Sequence, residues 1–173
     1  MDDVELIGGV EPRAIVIVDP DPAWPERFVL EHARISTALG TRARRIDHIG
    51  STSVPGLPAK PIIDIDVSVA DVEDERDYVP ALVAAGYVLR VREPGHRMLR
   101  TPNLDAHVHI CTAGSEWEEN HLLFRDWLRQ HPADRDAYAV LKRQLATRDW
   151  ADMNQYSDAK TSFITEILVR ARS

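Results

Sequence analysis

Apolar positions along the chain follow two different periods. Short β-branched runs with a period of two dominate up to Gly114, and helical spacing takes over after it. Residues 14–18 (AIVIV) and 62–69 (IIDIDVSV) predict strands, the first closed by the proline-rich turn DPDPAWP. Between them, Phe28, Ile35 and Leu39 fall on one face and predict a helix over 26–39, and RRIDHIG predicts a short strand stopped by Gly50. Tyr78, Leu82 and Ala85 predict a second helix over 73–85, which Gly86 terminates. YVLRV, HRMLRT and AHVHICT predict three further strands, the first two separated by the turn-like REPG. Three helical blocks then follow, near 116–130, 134–148 and 157–171. The pattern predicts an α/β (α+β) fold: a mixed sheet with flanking helices, followed by a C-terminal helical segment that packs over it.

Composition narrows the class. A chain of 173 residues that is 44% hydrophobic can bury a full core, and no repeat or low-complexity tract divides it. The expected organisation is an N-terminal tail over 1–12 and one domain over 13–173, with a core over 13–114 and a helical part over 115–173. With 28 acidic residues against 21 Lys and Arg, the net charge is -7, which argues against a nucleic-acid partner and leaves room for a local patch that binds a small anion. The single cysteine, Cys111, excludes an internal disulfide framework and fits a reducing compartment. The acidic start MDDVELIGGVEPRAIVIV is unlike a secretory signal, and no run has the length of a membrane span. A cytoplasmic protein with no membrane partner is expected. The sequence leaves the oligomeric state open.

The chemistry concentrates in HIGSTSVPGLPAKPIIDIDVSV, from His48 to Val69. Strand alternation puts Ile62, Asp64, Asp66 and Ser68 on one face and Ile63, Ile65, Val67 and Val69 on the other. Two neighbouring carboxylates repel unless a cation lies between them, and carboxylates at this spacing suit a hard divalent ion such as Mg²⁺. The wet face of a half-exposed sheet is the competing reading. Ahead of the acids, Gly50, Ser51, Thr52 and Ser53 form a small turn able to offer N–H groups and hydroxyls to an anion, and Lys60 adds positive charge. This is no Walker A loop, because Gly50 and Gly56 stand one residue too far apart and Leu57 follows Gly56.

IDHIGSTSVPGLPAKPIIDIDV, together with HVHI, LLFRDWLRQHP, YAVLKRQLA and YSDAKTSFITEI, resembles the GrpB family, from about Ile15 to Ala171. The resemblance implies the nucleotidyltransferase fold of the polymerase-β type. It also implies transfer of a nucleoside monophosphate, AMP from ATP for preference, to a small-molecule acceptor with release of pyrophosphate. By that likeness Gly50 and Ser51 would contact the triphosphate, with Thr52, Ser53 and Lys60 beside them, and Asp64 and Asp66 would hold Mg²⁺ or Mn²⁺. The wider superfamily often carries a third carboxylate on a later strand. Here Asp105, His107, His109 and Cys111 share that strand face, so a histidine takes the acid's place and supplies no negative charge.

His107 and His109 are accordingly candidate catalytic residues beside Asp64 and Asp66, and a zinc site with Cys111 is an alternative. His32 and His121 fall in apolar helical stripes and read as packing residues, as do Trp24, Trp117, Trp127 and Trp150. Lys160 shares a stripe with Tyr156, Ile164 and Ile167 near a helix start, where a cation opposes the helix dipole and calls for an anion. Lys142, one turn beyond Tyr138, joins it as a candidate nucleotide-binding residue. Arg97, Arg100 and Arg125 are candidates for gripping the acceptor. The functional alternatives are a nonenzymatic nucleotide or CoA-related ligand-binding protein and a histidine-based metallohydrolase.

Overall fold

The computed structural model describes residues 3–150 and 153–173. Six strands form one mixed sheet in the order β1-β4-β5-β6-β3-β2: β1 (Glu5–Leu6), β2 (Arg45–Ile49), β3 (Ile63–Val69), β4 (Val88–Glu93), β5 (His96–Arg100) and β6 (Ala106–Thr112). Every pairing is antiparallel except β3 with β6. The mixed α/β class expected from the sequence is therefore the class observed.

Helices cover the two faces unequally. On one side α1 (Trp24–Leu39) and α2 (Val79–Ala84) pack on the apolar alternates of β3 and β6. Ile63, Ile65, Val67, Val69, Val108 and Ile110 are all within 2% of complete burial there, joined by Trp24, Ile35, Leu39 and Leu82. On the other side α3 (Glu116–Gln130) crosses β2 and β6. Around it α4 (Pro132–Ala146) and α6 (Thr161–Ala171) build a second core, in which Leu128, Tyr138, Ala139 and Phe163 enclose Val54 and Leu57 of the loop before β3. The helical tail thus clamps that loop, and through it the site, onto the sheet.

Four elements differ from the sequence expectation. Residues 14–18 form no strand: Val18 makes an isolated bridge to Ala59, and Val16 is exposed. β-Branched content raises strand propensity, but without a neighbouring strand the ladder has nothing to pair with. The helix expected over 73–85 is a 3₁₀ turn at Glu75–Asp77 followed by the short α2. Pro80 explains the break, because it has no N–H to bond a carbonyl four residues back and its ring crowds that carbonyl, so a helix tolerates it in the first turn but cannot run through it from earlier. The block over 157–171 is two helices, α5 (Met153–Asp158) and α6, with Lys160 at the junction as the N-cap of α6. Finally, the tail expected over 1–12 meets the sheet: Glu5 and Leu6 pair with Arg92 and Val91, and the Arg90 guanidinium donates to the carbonyls of Ile7 and Gly9.

Candidate functional site

Parallel pairing of β3 with β6 sets the site. Its register puts Asp64 beside His107 and Asp66 beside His109, all on the face opposite the apolar core. His109 Nε2 lies 3.2 Å from Asp64 Oδ1 and His107 Nδ1 lies 3.7 Å from the same oxygen. Asp64, His107 and His109 each offer a ligand atom within 4.8 Å of the others, so together they form a possible metal-binding triad. Asp66 turns elsewhere: its Oδ2 is 2.8 Å from His121 Nδ1 on α3, and its buried Oδ1 has no partner among the described residues. The donor set fits a divalent cation, being one carboxylate and two imidazoles with a further unpartnered buried carboxylate oxygen on the same face. Cys111 stands outside the triad, its thiol directed at the Val67 carbonyl and pushed up to about 12 chiefly by burial.

Burial disfavours the Asp64 carboxylate, yet its hydrogen bond to His109 and the charges of His109, His107 and Lys60 outweigh that and hold its pKa far below the usual carboxylate range. His109 moves the other way. Burial alone would lower it, but the Asp64 contact raises it above the ordinary imidazole value. His107 is dominated by burial and falls to about 4.

The Gly50 turn reaches the same carboxylate. Gly50 has φ +69°, and a Cβ there would stand 2.7 Å from Asp64 Oδ2, so only glycine allows this approach. Residues Ser51–Ser53 form a 3₁₀ turn whose hydroxyls are partly spent on the chain itself. Thr52 donates to the Ile62 carbonyl and contacts His48 Nε2 at 2.9 Å, and Ser53 donates to the Gly50 carbonyl. Ser51 instead meets the Tyr138 hydroxyl. Arg125 and Arg129 brace the turn from α3 by donating to the carbonyls of His48 and Ser53.

Three lysines from three elements converge beside Asp64. Lys60 and Lys160 both lie over the Tyr156 ring, at 4.8 and 4.4 Å from its centroid, and Lys142 lies 4.9 Å from that of Tyr138 while donating to the Pro58 carbonyl. Burial depresses all three, Lys60 to about 7, Lys142 to about 6 and Lys160 to about 8. Mutual repulsion adds to the first two, and Asp64 is the carboxylate that opposes it at each. An anion bound there would relieve the strain on all three ammonium groups.

The arginine candidates separate. Arg97 points to the other side of the sheet, where it is buried and held by Glu73 and Glu75, so the structure does not bring it to the cluster. Arg100 pairs in register with His107 but is gripped by both oxygens of Glu11. Arg125 lines a groove of about 640 Å³ on the outer side of the Gly50 turn, with Phe28, His48 and Pro55.

Sequence reasoning missed three contributors. His121 was expected to pack and instead meets Asp66; its stripe on α3 faces the polar side of the sheet. Trp117, one turn earlier, stacks on His96 with centroids 4.0 Å apart. His96 in turn contacts His109, with Nε2 and Nδ1 separated by 3.0 Å. The signal for His96 was its alternation with Met98 and Arg100 on β5, which places it on the face of His109.

Residues 14–170 match the sequence profile of the family described as GrpB protein. A UPF0157 protein of Streptomyces coelicolor is 52% identical over 168 residues, covering 97% of this chain and 90% of its own length. A dephospho-CoA kinase of Mycolicibacterium paratuberculosis is 32% identical over 184 residues, covering 90% of this chain but only 45% of the kinase. Among solved structures, the crystal structure of conserved protein GrpB from Enterococcus faecalis superposes with a TM-score of 0.78 at 34% identity, over 90% of this chain and 96% of that one. Among the described residues no helix is long and apolar enough to cross a membrane.

Proposed function

Starting from the fact that this chain belongs to the GrpB family, we propose that it is a metal-dependent nucleotidyltransferase of the polymerase-β-type fold. It transfers a nucleoside monophosphate to a small-molecule acceptor. The observation that carries this reading is the pairing of a cation-binding donor set with a polycation: Asp64, His107 and His109 stand beside Lys60, Lys142 and Lys160. A triphosphate with its divalent ion is an occupant that satisfies both halves at once.

The residues divide the work. Lys60, Lys142 and Lys160 hold the phosphate oxygens and stabilise the leaving pyrophosphate, and Gly50 and Ser51 let backbone and hydroxyl approach it. Asp64 with His107 and His109 holds Mg²⁺ or Mn²⁺, which when bound neutralises charge on the reacting phosphate. Asp66, held by His121, keeps a second carboxylate on the same face. Arg125, on its groove, is the arginine best placed to meet an acceptor.

The test supplies nucleoside triphosphates, Mg²⁺ or Mn²⁺ and a metabolite pool, and measures pyrophosphate and nucleotidylated product. Asp64→Asn is expected to lower turnover by at least ~100-fold, since charge stabilisation dominates such chemistry. Turnover unchanged in that variant would sink the assignment.

The likeness to about half of a dephospho-CoA kinase favours a second reading, a nonenzymatic nucleotide or CoA-related ligand-binding protein. Calorimetric titration with ATP and CoA separates the two: tight binding with no product from any acceptor supports the second.

A further inference from the structure

A row of hydrogen-bonding groups runs from the β4–β5 turn to Asp64. Glu93 and His96 face each other across that turn, and Glu93 Oε1 is 2.5 Å from His96 Nδ1. His96 Nε2 is 3.0 Å from His109 Nδ1, and His109 Nε2 is 3.2 Å from Asp64 Oδ1. The direction of each bond follows from its ends. A carboxylate only accepts, so His96 carries its proton on Nδ1 and, as a neutral ring, accepts at Nε2. His109 must then donate from Nδ1, so Nε2 is the nitrogen that faces the Asp64 oxygen: it donates to that carboxylate while the ring is an imidazolium, and offers a lone pair once that proton is displaced. His107 Nδ1 stands 3.7 Å from the same oxygen. A divalent cation in place of that proton would meet one ligand atom from each of Asp64, His107 and His109.

We propose that Glu93 and His96 are positioning residues that present His109 Nε2 as a metal ligand, making the Asp64–His107–His109 centre selective for an imidazole-binding divalent ion of the Mn²⁺ or Zn²⁺ kind over Mg²⁺. The inference rests on the metal-holding part of the function proposed above, and not on nucleotidyl transfer. Mg²⁺ favours oxygen donors and keeps its waters, whereas two imidazoles to one carboxylate suit transition ions. An outer partner on the far ring nitrogen fixes the tautomer and raises the basicity of the ligating one. The row is also held in place: His96 is 4% exposed and its ring stacks on Trp117 at a centroid distance of 4.0 Å while its edge meets His109.

Metal affinities of the full-length chain, measured by competition with a chromophoric chelator for Mn²⁺, Zn²⁺ and Mg²⁺, test this, with the visible spectrum of the Co²⁺-loaded protein reporting imidazole coordination. Wild type is expected to bind Mn²⁺ and Zn²⁺ at least ~10-fold more tightly than Mg²⁺. His96→Phe keeps the stack but removes the acceptor, and should weaken Mn²⁺ and Zn²⁺ by ~10–100-fold and shift the Co²⁺ spectrum. His96→Gln, whose carbonyl can accept from His109, should recover part of both. Glu93→Gln, at the partly exposed end of the row, should give a smaller loss in the same direction, and it carries the test if His96→Phe does not fold. Equal or tighter Mg²⁺ binding by wild type, or affinities and spectra unchanged in folded His96 or Glu93 variants, overturns the proposal. A wild-type chain that binds none of the ions removes the metal centre itself, while one that binds as expected but transfers no nucleotide refutes only the enzymatic reading.

Discussion

The two faces of β3 and β6 use the same backbone for opposite ends. Ile63, Ile65, Val67 and Val69 alternate with Asp64, Asp66 and Ser68, so a single register decides both sets. Beneath α1 and α2 the apolar alternates are sealed, each such side chain contributing about 1.5–3 kcal/mol by burial. Beneath α3 the polar alternates are nearly as enclosed but incompletely satisfied: Asp66 Oδ1, Ser68 Oγ and His107 Nε2 are buried without a partner among the described residues. Unpartnered buried polar atoms cost stability, so the polar face is tolerated because the apolar face is strong. One side anchors the sheet and the other carries the charge that a ligand can use.

Three variants sharpen that contrast. Ile65→Ala strikes the anchoring face alone and should cost about 2–5 kcal/mol in urea unfolding, with Mn²⁺ affinity of the folded fraction unchanged. A loss of metal affinity matching the loss of stability would show the faces to be coupled rather than divided. Gly50→Ala strikes the polar face. Left-handed backbone should cost about 1–2 kcal/mol, and the added Cβ must displace the Asp64 carboxylate, so metal affinity should fall more than stability does. Lys142→Met should do the reverse of both by removing a lysine that folding forces to give up its proton, raising the stability of the ligand-free protein at pH 7 by on the order of 1 kcal/mol.

The sign of the Lys142 effect follows from linkage. Its folded pKa of about 6 lies below the ordinary 10.5, so between these values the unfolded chain binds a proton that the folded chain lacks. The cost is fully present below pH 6, shrinks as pH rises through that window, and is gone above it. Denaturation midpoints at pH 7 and pH 9.5 should therefore rise with pH in wild type, and rise less in Lys142→Met. Lys60 and Lys160 leave a residual slope of the same sign.

Much of this contrast was legible in the sequence. Alternation through 62–69 assigned Asp64 and the isoleucines to their faces, and the polar alternates of HVHI put His107 and His109 on one strand face. What local pattern does not encode is which strand lies next to which and which way a helix turns its stripe. Asp64 therefore gathers with two histidines from β6 rather than with Asp66, and His121, read as packing, meets a carboxylate. Thr52 and Ser53 could be placed in the turn but not their bonds, which close onto Ile62 and Gly50. The split of the last helical block escaped because Tyr156, Lys160, Ile164 and Ile167 keep helical spacing across the break.

Joining β3 to β6 side by side in the same direction also dictates when the site can exist. Asp64 and His109 are 45 positions apart, and the chain between them must complete a helix and a hairpin before the two strands can zip together. Closing so long a loop has to be offset by contacts made late, so the cluster assembles near the end of folding rather than seeding it. Ion capture by this protein would then act as a sensor of a finished chain: partly folded molecules, lacking the register, hold Asp64 but not its histidines.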